Sequence, residues 1–204
     1  MARDITPKKS TLKKRPLTVA ADDGRPFIFY QLLTEKESLL CFTGSRSGTD
    51  FGNVCEKAVL PNFKKPPLET KNYQDFKISK KRGGWFLTYT EKIHKNIVTH
   101  AAESTDLKKW KEIEVTKLPE SGYLVPNFKW QSKNVFYFGG QAIRVAYSKD
   151  LKIWEDSKSI ALPPRSGFFD NNSLAVLAVE KETDGIYVIY DASFIKGESY
   201  HLQI

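Results

Sequence analysis

The chain has 204 residues, 40% of them hydrophobic and 13% aromatic, with a formal net charge of +8. That is enough to bury the core of one domain, and no run approaches the eighteen apolar residues of a membrane-spanning helix. Arg3, Lys8, Lys9, Lys13, Lys14 and Arg15 set against Asp4 place +5 of the charge in residues 1–15, so the rest of the chain is nearly balanced and a nucleic-acid surface is not expected.

Residues 1–15 read as a basic arm. They lack the interleaved aromatics that stack bases and the apolar centre of a secretory signal. The first paired strands are "LTVA" (Leu17–Ala20) and "FIFYQ" (Phe27–Gln31), separated by the turn-forming "ADDGRP". Short runs rich in aromatic and β-branched residues, bounded by Gly, Pro and Asp, favour hairpins. "LLCFTGSRSGTDF" (Leu39–Phe51) follows as a third strand and a turn. Cys41 and Cys55 are too few for a disulfide framework and form no metal set with the three histidines, so free thiols in a reducing cytoplasm are expected. A Cys41–Cys55 bridge is the competing reading.

The pattern then repeats. "DFKI" (Asp75–Ile78), "KKRGG" and "WFLTYT" (Trp85–Thr90) form a second hairpin, followed by "IVTHAAESTDLKKW" (Ile97–Trp110). "NFKW" (Asn127–Trp130), "QSKN" and "VFYFGG" (Val135–Gly140) form a third, followed by "IRVAYSKDLKIW" (Ile143–Trp154). "SLAVLAV" (Ser173–Val179), "KETDG" and "IYVIYDA" (Ile186–Ala192) form a fourth, and "GESYHLQI" begins its continuation. Ser104 to Trp110 and Ser148 to Trp154 share the skeleton Ser-x-Asp-Leu-x-x-Trp, and Ser45 to Phe51 keeps its spacing. Short oxygen-bearing side chains bond nearby amides in such turns, and the aromatic folds back onto the sheet. Trp110 and Trp154 are therefore expected in the core, and Asp106 and Asp150 in turns.

A unit of about 45–60 residues with this composition fits a four-stranded propeller blade. The expected fold is all-β, of five-bladed β-propeller type, with about three and a half blades present in residues 16–204. The units fall near 16–60, 70–115, 120–160 and 165–204. A two-layer sandwich is the structural competitor. Because a ring must close to hide its edges, the sequence is expected to be a piece of a longer protein or to be completed by a partner.

"YQDFKISKKRGGWFLTYT", the two Ser-x-Asp-Leu-x-x-Trp closures and "RSGFFDNNSLAVLAVEKETDGIYVIYDAS" resemble motifs of glycoside hydrolase family 130, the mannoside phosphorylases and hydrolases, and of related propeller glycosidases. The resemblance implies that Asp75 is the catalytic acid, standing at the Asp of a Glu-Asp-Pro-Arg motif. Lys77 stands in place of its Arg, while Gln74 and Phe76 depart from it. It implies substrate contacts from Asp170 and Asn127, with Lys77 as a cation for phosphate.

Cleavage of a glycoside by the common route takes two carboxyl groups, and Asp75 and Asp170 are the acids this reading places near a central funnel. Trp85, Trp130, Tyr123 and Phe169 are candidate sugar-stacking faces. The expected function is a glycoside phosphorylase or hydrolase acting on mannosides or related oligosaccharides. The activity classes expected are glycoside hydrolase, glycosyltransferase and phosphorylase. No cofactor is expected, with inorganic phosphate as co-substrate in a phosphorylase. The expected partner is an oligosaccharide, without membrane or nucleic acid, and self-association into a homo-oligomer is compatible. The alternatives are a non-catalytic or degenerate carbohydrate-binding module, and a scaffold whose basic arm meets an acidic partner. His94 and His100 lack the companions of a Ser–His–Asp hydrolase.

Overall fold

A computed structural model describes residues 13–22, 25–33, 38–45, 47, 56–58, 73–118, 120–164, 173–193 and 199–200. Four antiparallel sheets follow one another along the chain. The first blade holds β1 (Lys13–Asp22), β2 (Arg25–Leu33), β3 (Ser38–Gly44) and β4 (Glu56–Ala58). The second holds β5 (Tyr73–Lys81), β6 (Gly84–Ile93), β7 (Asn96–Ser104) and β8 (Lys111–Ile113). The third holds β9 (Gly122–Trp130), β10 (Lys133–Phe138), β11 (Ile143–Ser148) and β12 (Glu155–Leu162). The fourth holds β13 (Ser173–Lys181), β14 (Ile186–Ser193) and β15 (Ser199–Tyr200). Strand order within every sheet is sequential. Lys13–Arg15, assigned from sequence to the basic arm, lie within β1.

The inner strands β1, β5, β9 and β13 lie side by side in chain order, each against the next. That arrangement fans the sheets about an axis and excludes two facing layers. β13 makes no comparable contact back to β1 among the described residues, so the ring is open, as an incomplete propeller requires. The core is divided among the seams between blades. Phe29, Phe42, Phe76, Trp85, Leu87 and Tyr89 join blades one and two. Phe86, Leu124, Phe136 and Trp154 join two and three. Val125, Val135, Val145, Leu174 and Val176 join three and four. On blade four the face away from blade three leaves Leu177, Tyr187 and Ile189 about half exposed, because no further blade covers it among the described residues.

Backbone-level bonds lock the seams. The buried Thr88 hydroxyl donates to the Gly122 carbonyl (3.0 Å), and the Gly122 amide donates back to that oxygen (3.2 Å). The Leu124 amide donates to Ser79 Oγ at 2.9 Å. Gly140 and Leu174 exchange two 2.8 Å amide–carbonyl bonds across the next seam. A Cβ on Gly139 would sit 2.2 Å from the Leu174 carbonyl oxygen, so close approach of blades three and four requires glycine there.

The repeated Ser-x-Asp-Leu-x-x-Trp stretches are two copies of one turn. Asp106 Oδ1 accepts the amides of Lys108 (2.9 Å) and Lys109 (2.8 Å), and Ser104 Oγ donates to it. Asp150 Oδ1 accepts the amides of Lys152 and Ile153, and Ser148 Oγ donates to it. These bonds hold both aspartyl carboxyls below the usual range, the backbone amides contributing most. Leu107 and Leu151 take left-handed φ values of 63° and 66°. That reversal turns each indole back so that Trp110 Nε1 donates to the Leu107 carbonyl and Trp154 Nε1 to that of Leu151. Both tryptophans are buried. In the first copy Ser45 is buried, and Phe51 lies outside the described residues.

Cys41 is disulfide-bonded, which corrects the expectation of a free thiol. β4 pairs beside β3 with Lys57 opposite Cys41, a proximity that the linear spacing of the cysteines does not reveal. Cys55 lies outside the described residues. The thiol-based reason for expecting a reducing compartment falls with that reading.

Candidate active site

Asp75 stands at the third residue of β5, where the pairing with β6 slips between Gln74 and Lys77. The bulge gives Asp75 a left-handed φ of 53° and turns it to solvent. A non-glycine residue held there costs on the order of 1–3 kcal/mol, a strain that collects at functional positions. Its neighbour Phe76 goes the other way, buried and stacked on Tyr89 with centroids 5.3 Å apart. Thr90 Oγ1 donates towards Asp75 Oδ2 at 3.3 Å and towards the Gln74 carbonyl at 3.2 Å.

Lys77 Nζ lies 5.4 Å from the centre of the Tyr123 ring, bridging blades two and three. Burial lowers its pKa, and the neighbouring Asp75 charge opposes that shift. Lys77 and Asp75 are thus electrostatic partners at one place on the inner strand.

The inter-blade register identifies a carboxylate that sequence reading missed. Leu124 of β9 bonds Ser79 of β5. Four residues back along the chain from each stand Glu120, in the bend just before β9, and Asp75 of β5. Glu120 lies within electrostatic reach of both Asp75 and Arg144, and its pKa is raised. Desolvation is the main cause; Arg144 opposes it and Asp75 adds to it. The residue as a whole is exposed, so its carboxyl is crowded by protein on one side and open to solvent on the other. Its neighbour across the mouth is Gly140, where an added Cβ would lie 3.8 Å from Glu120 Oε1. Arg144 is held in place by Asp156 (3.1 Å) and by the Phe138 ring, 4.7 Å below its guanidinium.

Sequence reading placed the third inner strand at Asn127–Trp130. The strand in fact starts at Gly122 and absorbs Pro126 in a bulge between Leu124 and Lys129. Asn127 is exposed with a left-handed φ of 50°. It lies opposite the Asn134–Phe136 stretch, nearer the far end of the blade than Asp75 is. The structure does not bring it beside Asp75. Asp170 and Phe169 lie outside the described residues.

The candidate stacking rings also separate. Trp85 and Tyr123 are only 3% and 7% exposed. Trp85 packs edge-on to Phe27 and lies beneath Lys80, with Nζ 4.4 Å from the ring centre. Trp130 is exposed but sits at the far-end hairpin. His100 serves structure, with Nε2 3.0 Å from Glu91, Nδ1 3.3 Å from Glu112 and its ring stacked on Tyr89. No set of three metal-ligating side chains occurs among the described residues.

No protein-family model matches the chain, and no curated protein matches it. Solved structures share its fold. A β-1,2-mannobiose phosphorylase from Listeria innocua is 11% identical, with a TM-score of 0.68 over 95% of this chain and 72% of that one. A glycosyl hydrolase from Bacteroides ovatus is 19% identical, with a TM-score of 0.67 over 90% of this chain and 61% of that one. A structure from the glycoside hydrolase family 130 work on hydrolases of β-1,2-mannosidic linkages in Candida mannan is 18% identical. Its TM-score is 0.68, over 90% of this chain and 61% of that one. The chain spans less than two thirds of the length of several of these neighbours. The fold is that of the propeller glycosidases.

Proposed function

We propose that the protein is a carbohydrate-active propeller that cleaves mannosides or related oligosaccharides at the Asp75–Glu120 pair. The observation that carries this reading is the electrostatic meeting of two carboxyl groups and two cations: Asp75 and Lys77 on β5, Glu120 just before β9 and Arg144 on β11. Glycosidic cleavage needs one group that keeps a proton to give to the leaving oxygen and a second that acts on water or on the sugar. Burial pushes Glu120 towards its protonated form, which suits it to donate. Asp75 accepts the Thr90 hydroxyl and adjoins Lys77, which leaves it the second role, acting on water or on the sugar. This reverses the role that the sequence resemblance implies for Asp75. The resemblance to mannoside-active proteins supports the substrate class. In phosphorolysis an inorganic phosphate replaces water as nucleophile, and Lys77 with Arg144 would offset its charge.

The test is incubation of the full chain with β-1,2-mannobiose, with and without inorganic phosphate, followed by product analysis. Free mannose in both conditions indicates hydrolysis, and mannose 1-phosphate formed only with phosphate indicates phosphorolysis. Asp75→Asn and Glu120→Gln are each expected to reduce turnover at least a hundredfold, within the usual range for an acid–base group. Sugar binding by calorimetry with no product from the unaltered protein would replace this reading with a carbohydrate-binding module.

A further inference from the structure

At the other end of blade two, about 20 Å along β5 from Asp75 at strand rise, a recess of about 390 Å³ is lined by Lys81, Glu103, Ser104, Thr105, Lys109 and Lys111. We infer that this recess binds an oxyanion monoester, a phosphate or sulfate group carried on a small molecule such as a sugar. The volume falls in the range of small-ligand pockets. Lys81 is partnered by Glu103 at 3.5 Å. Lys109 is drawn to the Asp106 carboxylate, whose pKa its charge helps to lower, and no ion pair engages Lys111 among the described residues. Ser104 is buried and committed to Asp106, so the ammonium groups and the exposed Thr105 hydroxyl are the available donors. Three lysines stand against the carboxylates of Glu103 and Asp106, which leaves one positive charge in excess, at Lys111, and that favours an anion.

The repeat supplies an internal control. Ser104 pairs with Trp85 and Ser148 pairs with Asn134, so the two closing turns are equivalent. In blade three Ile153 replaces Lys109 and Glu155 replaces Lys111. Glu155 ties down Lys133 at 2.6 Å, and that ion pair holds the carboxyl below its usual range. At this one position blade three pairs its charge, through Glu155 and Lys133, where blade two leaves Lys111 without an ion pair among the described residues. Since the turn geometry is shared, the difference lies in side chains placed around one backbone frame. A structural role for the lysines would not require that change of sign.

The experiment is calorimetric titration of the full chain with glucose 6-phosphate and, separately, glucose 6-sulfate at low ionic strength. Amide chemical-shift mapping locates the ligand. Saturable binding with shifts at Thr105, Lys109 and Lys111 is expected, weakening as salt is raised. Binding of one ester only identifies the source of the oxyanion. Lys111→Glu places the blade-three residue type at this position and is expected to weaken binding at least tenfold. Lys77→Ala, at the opposite end, is expected to leave this binding unchanged. The inference is overturned by absence of saturable binding of both esters, by indifference to Lys111→Glu, or by loss with Lys77→Ala. Because Lys111→Glu leaves the carboxylate pair intact, failure here is distinguishable from failure of the cleavage reading.

Discussion

Replacing Trp154 tests whether the blades are held by their seams. Trp154 is fully buried. Its ring lies 5.0 Å from Phe136 of its own blade and 6.0 Å from Phe86 of blade two. A buried tryptophan covers about 150–250 Å², which at about 25 cal/mol per Å² corresponds to roughly 4–6 kcal/mol. Partial collapse of the cavity brings Trp154→Ala to about 3–5 kcal/mol. That is a large share of the roughly 5–15 kcal/mol that stabilises a domain. Trp154→Phe keeps an aromatic ring and loses the Nε1 donor to the Leu151 carbonyl, a loss of about 1–2 kcal/mol. It serves as the folded readout if the alanine variant does not fold. Trp130→Ala is the control, because Trp130 is 56% exposed and its removal is expected within about 0.5 kcal/mol. Urea unfolding followed by far-ultraviolet circular dichroism measures all three. A Trp154→Ala loss below about 1 kcal/mol, or no larger than that of Trp130→Ala, would refute the seam-packing argument.

Thr88→Val keeps shape but strips both bonds to Gly122; it is expected to cost about 1–3 kcal/mol, since a buried amide and carbonyl lose a partner, and urea unfolding reads it. Gly139→Ala forces a Cβ against the Leu174 carbonyl and is expected to destabilise by about 1–3 kcal/mol, with enhanced proteolysis of blade four as the local signature. Glu120 binds its proton more tightly folded than unfolded, so the folded state loses relative stability as pH rises from the ordinary glutamate value of 4.5 towards the raised one. Linkage then predicts that Glu120→Gln is more stable than the parent above that window and equal to it below, and a pH series of thermal midpoints checks this. Reduction of the disulfide at Cys41 is expected to lower the thermal midpoint, with a typical loss of about 2–4 kcal/mol, and a midpoint unmoved by reductant would contradict it.

The sequence by itself determined the blades. The Ser-x-Asp-Leu-x-x-Trp turns are closed by bonds among residues two to three apart, so their chemistry is written in adjacent letters and can be read without a fold. The same holds for the hairpins, whose alternation and Gly-rich turns are local. Asp75 was singled out by the likeness of "YQDFK" to a family motif, whereas the bulge that holds it is a property of the pairing of β5 with β6.

Only the tertiary structure decided what Asp75 faces. Glu120 belongs to an unremarkable "LPESG", and its pairing with Asp75 and Arg144 depends on the register of β9 against β5, which one serine–amide bond across the seam reports. The Pro126 bulge, the disulfide at Cys41 and the lysines gathered beside Ser104 depend likewise on which strand lies next to which. Such contacts join residues tens of positions apart, and the free energy that fixes them is the burial of aromatic seams between blades, which specifies an arrangement of whole sheets and leaves no signature at any single position.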